Sequence, residues 1–165
     1  MTIQHVIFIV LSAVALIGAL GAVTSRNLFR AALFLVLSFV GVAGFYVTLQ
    51  AEFLAMVQIL VYVGAISILI IFAVMLSRRM MAPDYQARNE QWIGGLIAAV
   101  ALFALLAFVL LTVVWPTVEA EVPDGTITML GEALVDPGQF LLPFEVASVL
   151  LLVALVGAVI IARER

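Results

Sequence analysis

Long uncharged stretches separate the charged residues of this chain, and this spacing constrains its fold more than any other feature. No charged side chain occurs before Arg26, and 25 uncharged residues lie between Glu52 and Arg78. A further 28 separate Glu90 from Glu119. A helix rises about 1.5 Å per residue, so about 20 apolar residues cross a bilayer core of about 30 Å. Each stretch is therefore long enough for one membrane-spanning helix.

The spacing predicts an all-α integral membrane protein with five transmembrane helices. The predicted spans are residues 2–24, 28–50, 53–77, 92–115 and 141–162. These segments are apolar all round and do not alternate as the strands of a membrane β-barrel do. We expect residues 1–165 to form a single membrane domain, because no stretch is long enough for an aqueous domain.

The composition excludes several other classes of protein. Hydrophobic residues make up 67% of the chain and charged residues 10%, which is far outside the range of soluble domains and of nucleic-acid-binding chains. The chain has no cysteine and one histidine, His5. It therefore lacks ligands for an iron–sulfur cluster or a histidine-based metal site. No catalytic, cofactor-binding or metal site is predicted in this chain.

The basic residues predict the orientation of the chain in the membrane. All seven are arginines and fall after span one, after span three and in the C-terminal tail: Arg26, Arg30, Arg78, Arg79, Arg88, Arg163 and Arg165. With five spans these places share one side, so the positive-inside rule puts the N-terminus outside and the C-terminus in the cytoplasm. The outer loop, about residues 116–140, is acidic and is expected to be irregular.

The third span carries the most informative polar residues. Gln58 and Tyr62 are four residues apart and so share one helix face, with Ser67 further along. A polar face exposed to lipid is costly, so this face should meet other helices or water. Gly64 permits either close helix packing, together with Ala65, or a kink or π-bulge. The residues alone leave both readings open.

No ionisable residue occupies the middle of a predicted span, which argues against a chain that transports protons by itself. Glu52 and Glu145 lie at the outer ends of spans three and five. Each is either a charge that marks the end of a helix or part of a proton path. Glycine pairs, Gly18 with Gly21 and Gly41 with Gly44, weakly indicate tight helix packing.

Three segments resemble the subunit J family of bacterial NADH-quinone oxidoreductase, the counterpart of chain 6 of respiratory complex I. The first is Glu52-Phe53 followed by Ile59-Leu60-Val61-Tyr62-Val63-Gly64-Ala65-Ile66 and an apolar run to Leu76. The second is Arg26-Asn27-Leu28-Phe29-Arg30-Ala31-Ala32-Leu33, and the third runs from Leu142-Pro143-Phe144-Glu145 to Leu152. Five spans with an outside N-terminus also agree with this family.

The resemblance implies a non-catalytic membrane-arm subunit that helps to couple quinone reduction to proton pumping. It implies a π-bulge around Tyr62, Val63 and Gly64, whose switching between π and α forms gates a water path. Gly64 would be the hinge and Tyr62 would line the path, with Gln58, Glu52 and Glu145 as further proton-path candidates.

The resemblance also implies partners and a location. The complex would use NADH, FMN, iron–sulfur clusters and quinone, none of them bound by this chain. The partners would be the quinone-site subunit, a small acidic subunit and antiporter-like subunits, in the inner membrane of a bacterial cell.

Other functions remain open on the sequence. The same subunit could serve a related complex that takes electrons from ferredoxin, because the electron donor binds elsewhere. A subunit of a multi-chain cation/proton antiporter and a stand-alone small transporter are the other candidates. The stand-alone transporter is disfavoured because the middle of each predicted span lacks an acidic or basic residue.

Overall fold

The computed structural model describes residues 3–77, 91–114 and 125–163, and every regular element in these ranges is a helix. The helices are α1 (Ile3–Thr24), α2 (Leu28–Thr48), α3 (Glu52–Leu76), α4 (Trp92–Thr112), α5 (Thr126–Val135) and α6 (Leu141–Ala162). They belong to two compact units, Met1–Val118 and Glu119–Arg165.

Five of these helices are long and apolar enough to cross a membrane: α1, α2, α3, α4 and α6. Their bounds differ from the predicted spans by at most three residues. The predicted fold class, an all-α membrane protein with five spanning helices, is thus confirmed. Arg78, Arg79, Arg88 and Arg165, on which much of the predicted orientation depends, lie outside the described residues.

In the first unit, α2 packs against α1 on one side and against α3 on the other. The Asn27 side chain caps α2 by accepting hydrogen bonds from the backbone N–H groups of Phe29 and Arg30, at 2.9 and 3.2 Å. Short connections make neighbouring helices antiparallel. The shielded residues on these helices, apart from Gln58, are small: Gly18, Ala32, Gly41, Ala43, Ala55 and Ser67. Small residues let helix backbones approach closely in a membrane.

Glycines on both helices bring α1 and α2 into backbone contact. A Cβ atom on Gly18 would lie 2.5 Å from the backbone nitrogen of Ser38, and one on Gly41 would lie 2.8 Å from that of Ala15. Both distances are too short for real Cβ atoms. The weak packing signal of the glycine pairs therefore corresponds to a contact of backbone with backbone between α1 and α2.

A Schellman turn joins α2 to α3. The N–H of Ala51 donates to the carbonyl of Tyr46 at 2.9 Å, and the N–H of Gln50 donates to that of Val47 at 3.0 Å. This motif needs a left-handed residue, normally glycine. Here Gln50 takes that conformation, with φ of 57°, at a steric cost that glycine would avoid.

We expect Gln50→Gly to stabilise this turn by about 1 kcal/mol, since glycine adopts positive φ without the Cβ clash. Thermal unfolding of the detergent-solubilised protein should show a raised midpoint. Gln50→Ala is the control, because alanine keeps the Cβ atom and should bring no such gain. A midpoint lowered by Gln50→Gly would contradict the strain assigned to this residue.

In the second unit, the loop predicted over residues 116–140 contains the helix α5, so the expectation of an irregular loop is wrong for Thr126–Val135. Residues 116–124 of the loop lie outside the described residues. Leu130, Ala133 and Leu134 are the partly shielded residues of α5, and their spacing places them on one helix face. This helix packs against α6. The apolar spacing within an otherwise acidic loop is the physical reason for the helix.

Asp136 closes the turn between α5 and α6. Its side chain accepts hydrogen bonds from the backbone N–H of Gly138 and from the Gln139 amide, both at 2.8 Å. The bond from Gly138, and then that from Gln139, lowers the pKa of Asp136 below its ordinary value. Because the folded-state pKa is the lower one, the stabilisation is present above the ordinary pKa and is lost as pH falls through the folded value.

Candidate functional site

The candidate site is the middle of α3, where the helix changes its hydrogen-bond register. The helix is α-helical over Glu52–Val57, π-helical over Gln58–Ile66 and α-helical again over Ser67–Leu76. In a π-helix each N–H bonds to the carbonyl five residues earlier instead of four. The flanking residues Val57 and Ser67 have nearly identical torsions, with φ of −60° and −64° and ψ of −42°. The register therefore changes without a break in the helix.

Nine consecutive π-helical residues are unusual, because π segments occur mostly as single turns and are frequently found at functional sites. Tyr62, Val63 and Gly64 lie inside this segment. A Cβ atom on Gly64 would have one neighbour within 4 Å, the carbonyl oxygen of Ile59 at 3.4 Å. That carbonyl is the one five residues earlier. Within the described residues Gly64 is thus not at a close helix contact, in contrast to Gly18 and Gly41.

The polar residues in the middle of α3 are buried to different degrees. Gln58 is 5% exposed and Ser67 is 2% exposed, whereas Tyr62 is 42% exposed. The Tyr62 ring packs edge-on against Phe39 of α2, with centroids 5.4 Å apart and an angle of 78° between the planes. The polar face of α3 therefore meets a helix, as the cost of exposing it to lipid requires.

A side-chain hydrogen bond accompanies the change of register. The Ser67 hydroxyl donates to the carbonyl of Tyr62, five residues earlier, at 2.7 Å. The backbone N–H of Ser67 points to the same carbonyl and to that of Gly64. This contact was not predicted from the sequence, and the only sequence signal for it is a serine inside an otherwise apolar stretch.

The two acidic candidates lie at helix ends and are exposed. Glu52 is the first residue of α3, and Glu145 is the fifth residue of α6. They belong to different compact units. No three His, Cys, Asp or Glu side chains come together as a metal-binding group in residues 3–77, 91–114 and 125–163.

The fold and the site together define a multi-pass helical membrane protein with a π-helical segment in one span. Residues 18–161 match the family model of NADH-ubiquinone/plastoquinone oxidoreductase chain 6. The chain belongs to this family. It is accordingly a membrane subunit of a complex I-type oxidoreductase, as the resemblance in three segments predicted.

Individual relatives agree with the family match over nearly the whole chain. NAD(P)H-quinone oxidoreductase chain 6 of Nostoc sp. is 40% identical over 164 residues, which cover 98% of this chain and 80% of the relative. The chain 6 protein of Leptolyngbya boryana is 39% identical, with 98% and 81% covered. The chloroplastic subunit 6 of Staurastrum punctulatum is 40% identical, with 99% and 92% covered. These matches favour the oxidoreductase subunit over the antiporter subunit and the stand-alone transporter.

Proposed function

We propose that the π-helical segment of α3 is a gate that couples quinone reduction to proton pumping in the complex. The observation that carries this proposal is the nine-residue π segment Gln58–Ile66 in the middle of a helix of membrane length. A gate requires an element with two arrangements of similar energy. Conversion between π and α registers supplies such a pair, because each N–H exchanges one carbonyl partner for a neighbouring one.

The polar residues of α3 suit a gate better than a pump. Tyr62 carries a hydroxyl and Gln58 a neutral amide, and both groups can hydrogen-bond to water. Gly64 lets the backbone change register at low steric cost, since no side chain has to be moved past Ile59. In this proposal Gly64 is the hinge, Val63 moves with it, and Tyr62 and Gln58 line a water path.

Glu52 and Glu145 are proposed as further proton-path residues, since a carboxylate can exchange protons with water or with a neighbouring subunit. Both side chains are exposed in the chain, which leaves them free to meet partners. The helices α4 and α6 also have no buried residue among those described. Their surfaces are available to lipid and to the helices of other subunits.

The proposed partners are the quinone-site subunit, the small acidic subunit and the antiporter-like subunits of the same complex. NADH, FMN, iron–sulfur clusters and quinone would bind in other subunits. The proposed location is the inner membrane of a bacterial cell, with residues 1–165 forming one membrane domain.

The nature of the complex is tested by mild-detergent extraction, a native gel and in-gel NADH oxidation. We expect this chain to migrate in a large complex that oxidises NADH. A complex of that size without NADH oxidation would indicate another electron donor, such as ferredoxin. Migration as a small homo-oligomer would contradict assembly into the proposed complex.

The proposed orientation is tested with single cysteines, because the chain has none of its own. We expect Glu132→Cys, in the outer loop, to react with a membrane-impermeant maleimide added outside intact cells. Arg163→Cys, after α6, is the matched control and should react only after the membrane is opened. The reverse pattern would overturn the orientation.

The proposed gate itself is tested by replacing Gly64 with leucine and measuring the number of protons pumped per quinone reduced.

A further inference from the structure

In the part of the chain that the structure describes, several hydroxyl groups bond back to a carbonyl of their own helix, and only that of Ser67 reaches five residues back. Three donate to the carbonyl four residues earlier: Thr24 to Leu20 at 2.6 Å, Thr112 to Phe108 at 2.6 Å and Ser148 to Phe144 at 3.0 Å. Thr48 donates to the carbonyl three residues earlier, that of Phe45, at 2.8 Å. Ser67 donates to the carbonyl five residues earlier, that of Tyr62, at 2.7 Å.

This difference follows the backbone register. A serine or threonine hydroxyl in an α-helix reaches the carbonyl three or four residues earlier. The hydroxyl of Ser67 reaches one residue further because the π segment ends at Ile66, directly before it. The bond to Tyr62 is therefore specific to the π register, and it has to break when the segment becomes α-helical.

We propose that Ser67 is a positioning residue that holds the segment Gln58–Ile66 in its π register through this bond. Its hydroxyl and its backbone N–H both donate to the carbonyl of Tyr62, so two donors from one residue bond to the π segment at its C-terminal end. The side chain is 2% exposed, so neither water nor lipid competes for the hydroxyl. This inference rests on the proposed gate, and it identifies the residue that sets the balance between the two forms.

The α register offers the hydroxyl a poorer partner. The carbonyl of Val63, four residues before Ser67, would become available, but such bonds slightly destabilise and bend α-helices. Loss of the hydroxyl should therefore weaken the π form more than the α form. Hydrogen bonds between polar side chains and their partners in a membrane have modest net strengths, so we expect the ratio of π to α forms to fall roughly three- to tenfold.

The test uses the intact complex carrying Ser67→Ala, imaged by electron cryomicroscopy at rest and during turnover. Particles are sorted by the register of residues 58–66. We expect a lower proportion of the π form than in the unmodified complex. Ser148→Ala is the matched control, because it removes a hydroxyl that bonds four residues back in the α-helix α6, and it should leave the proportion unchanged.

A second variant separates the hydrogen bond from packing at this buried position. Ser67→Cys nearly preserves the side-chain volume but has only a weak donor, so we expect it to shift the register as Ser67→Ala does. It also decides the question if the alanine variant fails to assemble. An unchanged proportion of π form in Ser67→Cys would overturn the inference.

The same preparations distinguish the inference from the proposed gate. The number of protons pumped per quinone reduced is measured beside the register. If the Ser67 variants lower the proportion of the π form but pump the normal number of protons per quinone reduced, the role of Ser67 stands and the proposed gate is contradicted. If the proportion of the π form is unchanged, the role of Ser67 is contradicted, whatever number of protons is pumped per quinone reduced.

Discussion

Gly64→Leu is expected to leave the complex assembled while lowering the number of protons pumped per quinone reduced by roughly threefold. Leucine favours an α-helix over glycine by about 0.7 kcal/mol, which corresponds to about a threefold shift in an equilibrium. In the π register the new Cβ atom would lie 3.4 Å from the carbonyl oxygen of Ile59, an ordinary van der Waals distance. The preference of leucine for the α-helix is therefore the effect that disfavours the π form. The open space around Gly64 predicts that the chain itself still folds.

The measurement combines proton uptake into sealed vesicles with quinone reduction in the same sample. Gly95→Leu in α4 is the matched control, because a Cβ atom there has no neighbour within 4 Å and the surrounding helix is an ordinary α-helix. It should pump as the unmodified complex does. If Gly64→Leu also pumps at the unmodified ratio, the hinge role of Gly64 is wrong.

Gly18→Ala is expected to have the largest effect on stability. The added methyl group would meet the backbone of α2, with the nitrogen of Ser38 at 2.5 Å and the carbonyl oxygen of Phe34 at 2.9 Å. A backbone cannot rotate away as a side chain can, so α1 and α2 must separate. Such overpacking costs about 1–3 kcal/mol, and Gly41→Ala should act in the same way. Native gels and thermal unfolding should show less assembled complex and a lower midpoint.

Neighbouring glycines supply a graded set of controls for this interface. Gly21→Ala would meet the ring of Phe34, which can rotate, so we expect a milder loss than with Gly18→Ala. Gly157→Ala in α6 has no neighbour within 4 Å and should leave stability unchanged. Equal behaviour of Gly18→Ala and Gly157→Ala would show that the backbone contact does not hold α1 to α2.

The ends of the spanning helices could be predicted because they depend on the cost of placing charge in a bilayer. Glu52, at the start of α3, marks an end that the structure places within a residue of the prediction. The helix α5 was not predicted, because the acidic residues of the loop between α4 and α6 outweighed the apolar spacing of Leu130, Ala133 and Leu134. The apolar spacing of a short amphipathic helix is easily overlooked when charged residues surround it in the sequence.

The extent of the π segment could not be predicted from the residues. The π and α registers differ by one position in the hydrogen-bond pattern, while the torsions of flanking residues such as Val57 and Ser67 remain those of an α-helix. Apolar residues give no sign of which carbonyl each N–H prefers. The glycine contacts depend likewise on which helices become neighbours, and spacing alone leaves the partner of Gly18 undetermined.

The backbone contact between α1 and α2 has a mechanical consequence for α3. The helices α1 and α2 form a rigid pair where Gly18 and Gly41 bring their backbones together, since sliding or rolling of one helix on the other would make backbone atoms overlap. In an α-helix one residue corresponds to about 100° of rotation and 1.5 Å of rise. A change of one residue in the register of α3 would thus rotate Ser67–Leu76 relative to the rigid pair of α1 and α2. A local exchange of hydrogen bonds would in this way rotate the surface that α3 presents to a neighbouring helix.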